Sequence, residues 1–155
     1  MGPSSNKEGA SKEGAILFAC TMNAVRSPMA AAMLRHLTRG GIYIESAGVK
    51  AGEIDPLAVE AMGEIGLEMG KHRPRCFEDL EDGSFDLVIT LSPEAQHKAV
   101  ELTRTAATQV EYWPTMDPTA AEGSREQRLQ AYRAVRDQLM QRLKQRFLAA
   151  AAADT

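Results

Sequence analysis

The segment Cys20-Thr21-Met22-Asn23-Ala24-Val25-Arg26-Ser27-Pro28 places a thiol ahead of an arginine with five residues between them. It follows the apolar run Ala15-Ile16-Leu17-Phe18-Ala19 and precedes a helix-forming run. A short loop between a strand end and a helix start carries amides with no partner of their own, and these favour an anion. Residues 21 to 26 can curl so that successive N–H groups meet one tetrahedral oxyanion, making Thr21, Met22, Asn23, Ala24, Val25, Arg26 and Ser27 a candidate substrate-binding loop. Arg26 would complete it with a planar, permanently charged fork matched to two oxygens. Such surroundings are expected to lower the Cys20 thiol from about 8.5 into the range of roughly 3.5 to 7.5, giving a thiolate nucleophile at neutral pH. Cys20 as an inert core thiol and Arg26 as a surface residue is the competing reading. The preceding strand, Asn23 and the Ser27-Pro28 helix start favour the pocket.

The loop contains no glycine, so Asn23 is the residue expected to take a left-handed backbone conformation. Ser27 is expected to cap the following helix, and its hydroxyl is also within reach of a hydrogen bond to the sulfur. The elements that position these residues are legible as alternating patterns. Strands are expected at Ala15–Ala19, Ile42–Ile44, Asp86–Thr90 and Gln109–Trp113, and helices at Pro28–Thr38, Pro56–Ile65, Pro93–Ala107 and Arg125–Leu148. This alternation argues for an α/β fold with a parallel sheet covered on both faces. Leu87-Val88-Ile89 is continuously apolar, as a central parallel strand should be. Ser92-Pro93 and the Ser124/Gln127 pair mark two further helix starts. Leu129, Tyr132, Val135, Leu139, Leu143 and Phe147 form one apolar stripe on the last helix.

Bulk properties narrow the function classes. With 155 residues, 44% of them hydrophobic, the chain suits one domain, taken as residues 15 to 150 behind a disordered tail at 1 to 14. Eighteen Lys plus Arg against 21 Asp plus Glu give a net charge of -3, which argues against nucleic acid as a partner. No apolar run approaches the roughly 20 residues of a membrane helix, so no membrane association is expected. Asn6 stands where a myristoylation pattern needs Ser or Thr. Two cysteines, one in a motif that needs a free thiol, suit a reducing compartment, and the cytoplasm is the expected location. Three scattered histidines and two cysteines offer no metal-ligand spacing, and the chemistry calls for no cofactor.

Ile16-Leu17-Phe18-Ala19-Cys20-Thr21-x-Asn23-x-x-Arg26-Ser27-Pro28-Met29-Ala30 resembles the opening of the low-molecular-weight protein tyrosine phosphatases, a superfamily that includes thiol-dependent arsenate reductases. Ser46-Ala47-Gly48, Asp55-Pro56-x-Ala58, His72, Asp86, and Trp113 ahead of Asp117-Pro118 extend the resemblance over most of residues 15 to 148. It implies a three-layer α/β/α sandwich, phosphotyrosine protein phosphatase I-like, around a four-stranded parallel sheet of order 2-1-3-4. It also implies Cys20 as nucleophile, Arg26 as holder of the equatorial oxygens and Asp117 as proton donor to the leaving group. Ser46 would brace the loop through Asn23. Chemistry supports the third role independently, because a leaving alkoxide or phenoxide needs a proton and an acid on a loop over the pocket can deliver it. A turn aspartate before Pro118 is the plainer alternative. His72 and Arg75 would either steady the loops at the pocket mouth or form a solvated turn.

The main expectation is a phosphatase that hydrolyses phosphotyrosine or another aryl phosphomonoester through a cysteinyl-phosphate, with a phosphorylated protein or small phosphomonoester as partner. Two alternatives stand beside it: an arsenate reductase drawing on an external thiol, and a non-catalytic oxyanion-binding module. Thr119-Ala120-Ala121 follows Asp117-Pro118 where phosphotyrosine-specific members carry aromatic residues, so the grip on a phenyl ring should be weaker. Tyr112 and Trp113 would either compensate or pack into the core. Thioredoxin-coupled reductases need two relay cysteines near the end of the third strand, and Leu91 to His97 has none. Cys76 could bridge to Cys20 only if their α carbons approach within roughly 7 Å.

Overall fold

The computed structural model describes residues 14–80 and 84–148. The tail expected at residues 1 to 14 therefore lies outside the described residues, apart from Gly14. Four strands, β1 (Ala15–Cys20), β2 (Tyr43–Gly48), β3 (Leu87–Thr90) and β4 (Gln109–Tyr112), alternate with helices α1 (Arg26–Thr38), α2 (Pro56–Gly63), α3 (Pro93–Leu102) and α4 (Arg125–Leu143). The strands pair in parallel in the order β2-β1-β3-β4. This is the doubly covered sheet that the alternation implied.

Side chains of β1 alternate between two cores, as a pleated strand requires. Ile16, Phe18 and Cys20 join the apolar faces of α1, α2 and α4, while Leu17 packs with Val88, Ala47, Phe85 and Ala99 on the α3 side. The stripe on α4 is buried from Leu129 to Phe147; its last member, Phe147, lies in the five residues Lys144–Leu148 that continue the helix as a π turn. Trp113 goes into the core, edge-on to Phe18 with ring centroids 6.5 Å apart. Tyr112 stays exposed at the strand end.

Four boundaries differ from expectation by two residues or more. β2 runs four residues past Ile44 to Gly48, because its polar and small residues pair with Leu17, Phe18, Ala19 and Cys20 rather than forming an apolar run. α3 stops at Leu102, where Thr103 turns its hydroxyl back onto the Ala99 carbonyl at 2.7 Å. α2 ends at Gly63, and Gly66 takes the chain through φ +81. The fourth difference concerns Ser27. It does not cap α1: Val25 occupies that position with no side-chain cap, and Ser27 lies inside the helix. Its hydroxyl is drawn instead toward Cys20.

Two switches of the chain between strand and helix place the site. With β1 central, its C-terminal end delivers Cys20 to the carboxyl edge of the sheet, where ligands bind in open α/β folds. The connection after β4 returns to the same edge with Asp117 on a short 3-10 turn, Pro118–Ala120. Among the described residues, no helix is long and apolar enough to cross a membrane.

Candidate active site

Cys20 is the last residue of β1 and is 2% exposed. Its sulfur lies 2.9 Å from the Ser27 hydroxyl and accepts the Ser27 amide at 3.4 Å. The Ser27 oxygen is also 3.4 Å from the Ala47 carbonyl, so its single proton is better placed on the nearer sulfur. The loop between is held by Asn23, which is fully buried with φ 56. Its Nδ2 donates to Ser27 Oγ at 2.8 Å and to Ser46 Oγ at 2.9 Å, and its Oδ1 accepts the Arg75 amide at 2.9 Å. His72 Nε2 donates to the Asn23 carbonyl at 2.9 Å. Burial lowers the imidazole pKa below its ordinary 6.5, with Arg35 adding to the fall and the Asn23 hydrogen bond opposing it. Asn23, Ser27, Ser46 and His72 thus form one connected scaffold beneath the loop. Arg75 belongs to it too, reaching the Ser46 carbonyl and pairing with Glu45.

The loop also needs Gly48. A β carbon there would sit 2.5 Å from the Lys50 carbonyl oxygen, 2.7 Å from the Asn23 nitrogen and 2.9 Å from the Met22 carbonyl carbon. Backbone therefore packs on backbone, and Gly52 continues the contact by donating to the Met22 carbonyl at 2.8 Å. The amides of Met22, Asn23, Ala24 and Val25 find no acceptor among the described residues. Unpaired donors beside a sulfur and a guanidinium are what a tetrahedral oxyanion requires.

A cleft of about 220 Å³ opens over the sulfur, bounded by Cys20, Met22, Ala24, Val25, Arg26, Gly52, Glu53, Asp55, Asp117 and Thr119. Thr21, Asn23 and Ser27 are in the loop but not in the cleft wall: Thr21 turns its hydroxyl to Ser92 at 3.0 Å, and the other two lie behind the sulfur. Arg26 is 8% exposed, with Nη1 donating to the Thr115 carbonyl at 2.9 Å and Nη2 3.8 Å from Asp117 Oδ2. Asp117 is half exposed; its other oxygen accepts the Thr119 amide at 3.0 Å and hydroxyl at 2.7 Å. Asp55 caps α2 through Leu57 and accepts the Tyr132 hydroxyl at 2.6 Å. Glu53, Gly52 and the Thr115 carbonyl carry no recognisable pattern in the sequence. Asp55 and Gly48 stand inside family motifs, but their tasks emerge only from the packing.

Cys76 is remote from this cleft. Cys20 pairs with Gly48 across β1 and β2, and Gly48 bridges in parallel to Cys76. Two strand spacings of about 4.8 Å separate the cysteine α carbons by roughly 9 to 10 Å, too far for a disulfide without backbone movement. The neighbouring Asp79, accepting from the thiol at 3.3 Å, raises its pKa above the ordinary value and makes it a poorer nucleophile.

Residues 15–154 match the family model described as low molecular weight phosphotyrosine protein phosphatase. The chain belongs to this family. Among curated relatives, the arsenate reductase of Shouchella clausii is 35% identical over 130 residues, spanning 83% of this chain and 91% of that protein. The arsenate reductase of Bacillus subtilis is 32% identical over 130 residues, spanning 84% and 92%. Among solved structures, the arginine phosphatase of Geobacillus stearothermophilus superposes with a TM-score of 0.72 at 26% identity, covering 90% of this chain and 92% of that one. As a low-molecular-weight phosphatase family member, the chain carries cysteine-based chemistry of the phosphatase and arsenate reductase type.

Proposed function

We propose that the protein reduces arsenate at Cys20, with an external thiol as the source of electrons. The observation that carries this reading is a single thiol at the floor of a cleft walled by Ala24, Gly52 and Thr119, with no aromatic ring in its lining. Such walls suit a bare tetrahedral oxyanion better than an aryl ester. The curated relatives at 35% and 32% identity, both arsenate reductases, support it.

The steps follow from the groups in the cleft. The Cys20 thiolate attacks arsenic while Arg26 and the loop amides hold the oxygens, and an arsenate oxygen leaves as water with a proton from Asp117. A thiolate from solution then attacks the Cys20 sulfur. An S–S bond forms, the S–As bonding pair stays on arsenic, and arsenic leaves as arsenite, reduced by two electrons. A second thiol reduces the mixed disulfide and restores Cys20. Cys76 takes no part, in keeping with its distance and its neighbour Asp79.

The test is arsenate-dependent oxidation of glutathione, mycothiol or thioredoxin. Wild type and Cys76→Ser are expected to turn over alike, and Cys20→Ser is expected to be inactive. No arsenate-dependent thiol consumption with any of the three reductants would overturn the reading.

A second reading, phosphomonoester hydrolysis, is favoured by one observation: Asp117 stands on the open side of the cleft, 3.8 Å from Arg26, with an oxygen oriented by Thr119. An acid so placed suits protonation of an ester oxygen leaving from phosphorus. Hydrolysis of p-nitrophenyl phosphate that falls about 100-fold or more in Asp117→Ala would establish it. Turnover unaffected by Cys20→Ser would exclude it.

A further inference from the structure

We propose that Glu53 selects the thiol that regenerates Cys20, favouring a low-molecular-weight thiol with an ammonium group over one with a carboxylate. This rests on the reading that an external thiol serves the site. Cys20 is 2% exposed, so the attacking thiolate must enter through the cleft. The ionisable side chains bordering the cleft, besides the thiol itself, are Arg26, Glu53, Asp55 and Asp117.

Three of these four are already engaged. Arg26 holds the Thr115 carbonyl and faces the oxyanion site, Asp55 is tied to Leu57 and the Tyr132 hydroxyl, and Asp117 is tied to Thr119. Glu53 is exposed and pairs with no described residue. Its place at the mouth is nonetheless set, because the adjacent Gly52 is fastened to the anion loop through the Met22 carbonyl. Arg26 faces Asp117 at 3.8 Å, which leaves the carboxylates of Glu53 and Asp55 to meet an incoming thiolate with or without a bound oxyanion. A second negative charge on the thiol adds repulsion, whereas an ammonium group offsets it and pairs with Glu53. Because Glu53 is solvated, the preference should be modest, about 2- to 5-fold, and screened by salt.

The experiment uses the full chain carrying Cys76→Ser, with Cys20 loaded as a mixed disulfide by 4,4′-dithiodipyridine. Release of pyridinethione is followed with cysteamine, 2-mercaptoethanol and 3-mercaptopropionate. In each case the thiolate forms an S–S bond to Cys20 and the leaving electron pair goes to the pyridinethione. The cysteamine to 3-mercaptopropionate rate ratio should exceed that for a small pyridyl disulfide in free solution. It should drop about 2- to 5-fold in Glu53→Gln, drop further in Glu53→Lys, and shrink in 0.5 M salt, as screening at roughly a 4 Å Debye length requires. A ratio equal to the free-solution value, or one unmoved by both variants, overturns the proposal. The readout contains no arsenate. A Glu53-dependent ratio in a protein that oxidises no thiol with arsenate therefore upholds charge selection while removing the reductase reading.

Discussion

Ser27 shows how one hydroxyl can be taken from a structural task by a chemical neighbour. The Ser27-Pro28 pair has the form of a helix cap, yet the chain enters α1 earlier, at Arg26, and the hydroxyl faces the sulfur at 2.9 Å. A hydrogen bond to a charged partner contributes about 1.5 to 3 kcal/mol, so Ser27→Ala should lower the rate of the Cys20 step about 10- to 100-fold. Arsenate-dependent thiol oxidation measured beside the urea midpoint separates the two roles: the variant should lose rate with its midpoint kept, while a purely structural role would lower the midpoint and spare the rate of the folded protein. Asn23 was legible from residue type, because asparagine tolerates positive φ and the loop offers no glycine. Its three side-chain partners, Ser27, Ser46 and Arg75, lie up to 52 residues away and could not be paired without the fold or the family resemblance.

At the scale of elements, α4 is more than a cover for the sheet. Arg136, 8% exposed, donates from Nη1 to the Ala61 carbonyl at 2.8 Å and to Glu64 at 2.9 Å, so it holds the C-terminal end of α2 where that helix has unpaired carbonyls. Arg133 adds a second guanidinium to Glu64 at 2.7 Å and keeps that carboxyl at about 2, well below its ordinary 4.5. Arg136→Ala should cost about 2 to 3 kcal/mol in urea unfolding, since it strands a buried carbonyl and part of an ion pair. Arg133→Ala, at a more exposed position, should cost about 1 kcal/mol or less. Equal losses would mean the α2 end is not held as described. The apolar stripe of α4 and the caps at Ser92 and Ser124 were readable from spacing; the clamp on α2 was not, because its acceptor is a backbone carbonyl.

Over the whole molecule, two pH windows of stability follow from the same contacts. His72 titrates below its ordinary 6.5 when folded, so between those values the unfolded chain binds more protons and stability falls as pH drops below about 6.5. Glu64 and Glu78 are held near 2 against an ordinary 4.5, chiefly by hydrogen bonds from Arg133 and Lys98. Their contribution is present above about 4.5 and is lost as pH falls toward 2. Urea midpoints measured from pH 8 to pH 3 should therefore decline in two stages. His72→Asn should flatten the upper stage and spare the lower. A single decline confined below pH 4.5 in the wild type would contradict the buried, neutral His72.

The sequence alone determined the alternation of strands and helices, the loop that joins Cys20 to Arg26, and the family to which that loop is similar. These are local properties: periodicity, capping residues and short spacings act within a few turns of chain. Tertiary structure alone decided that Glu45 to Gly48 extend β2, that Arg26 leans on the Thr115 carbonyl, that Cys76 stands two strands from Cys20, and that Glu53 borders the cleft. Each of those depends on parallel pairing between segments distant in the chain. Nothing in a residue's own neighbourhood encodes which remote backbone will pack against it.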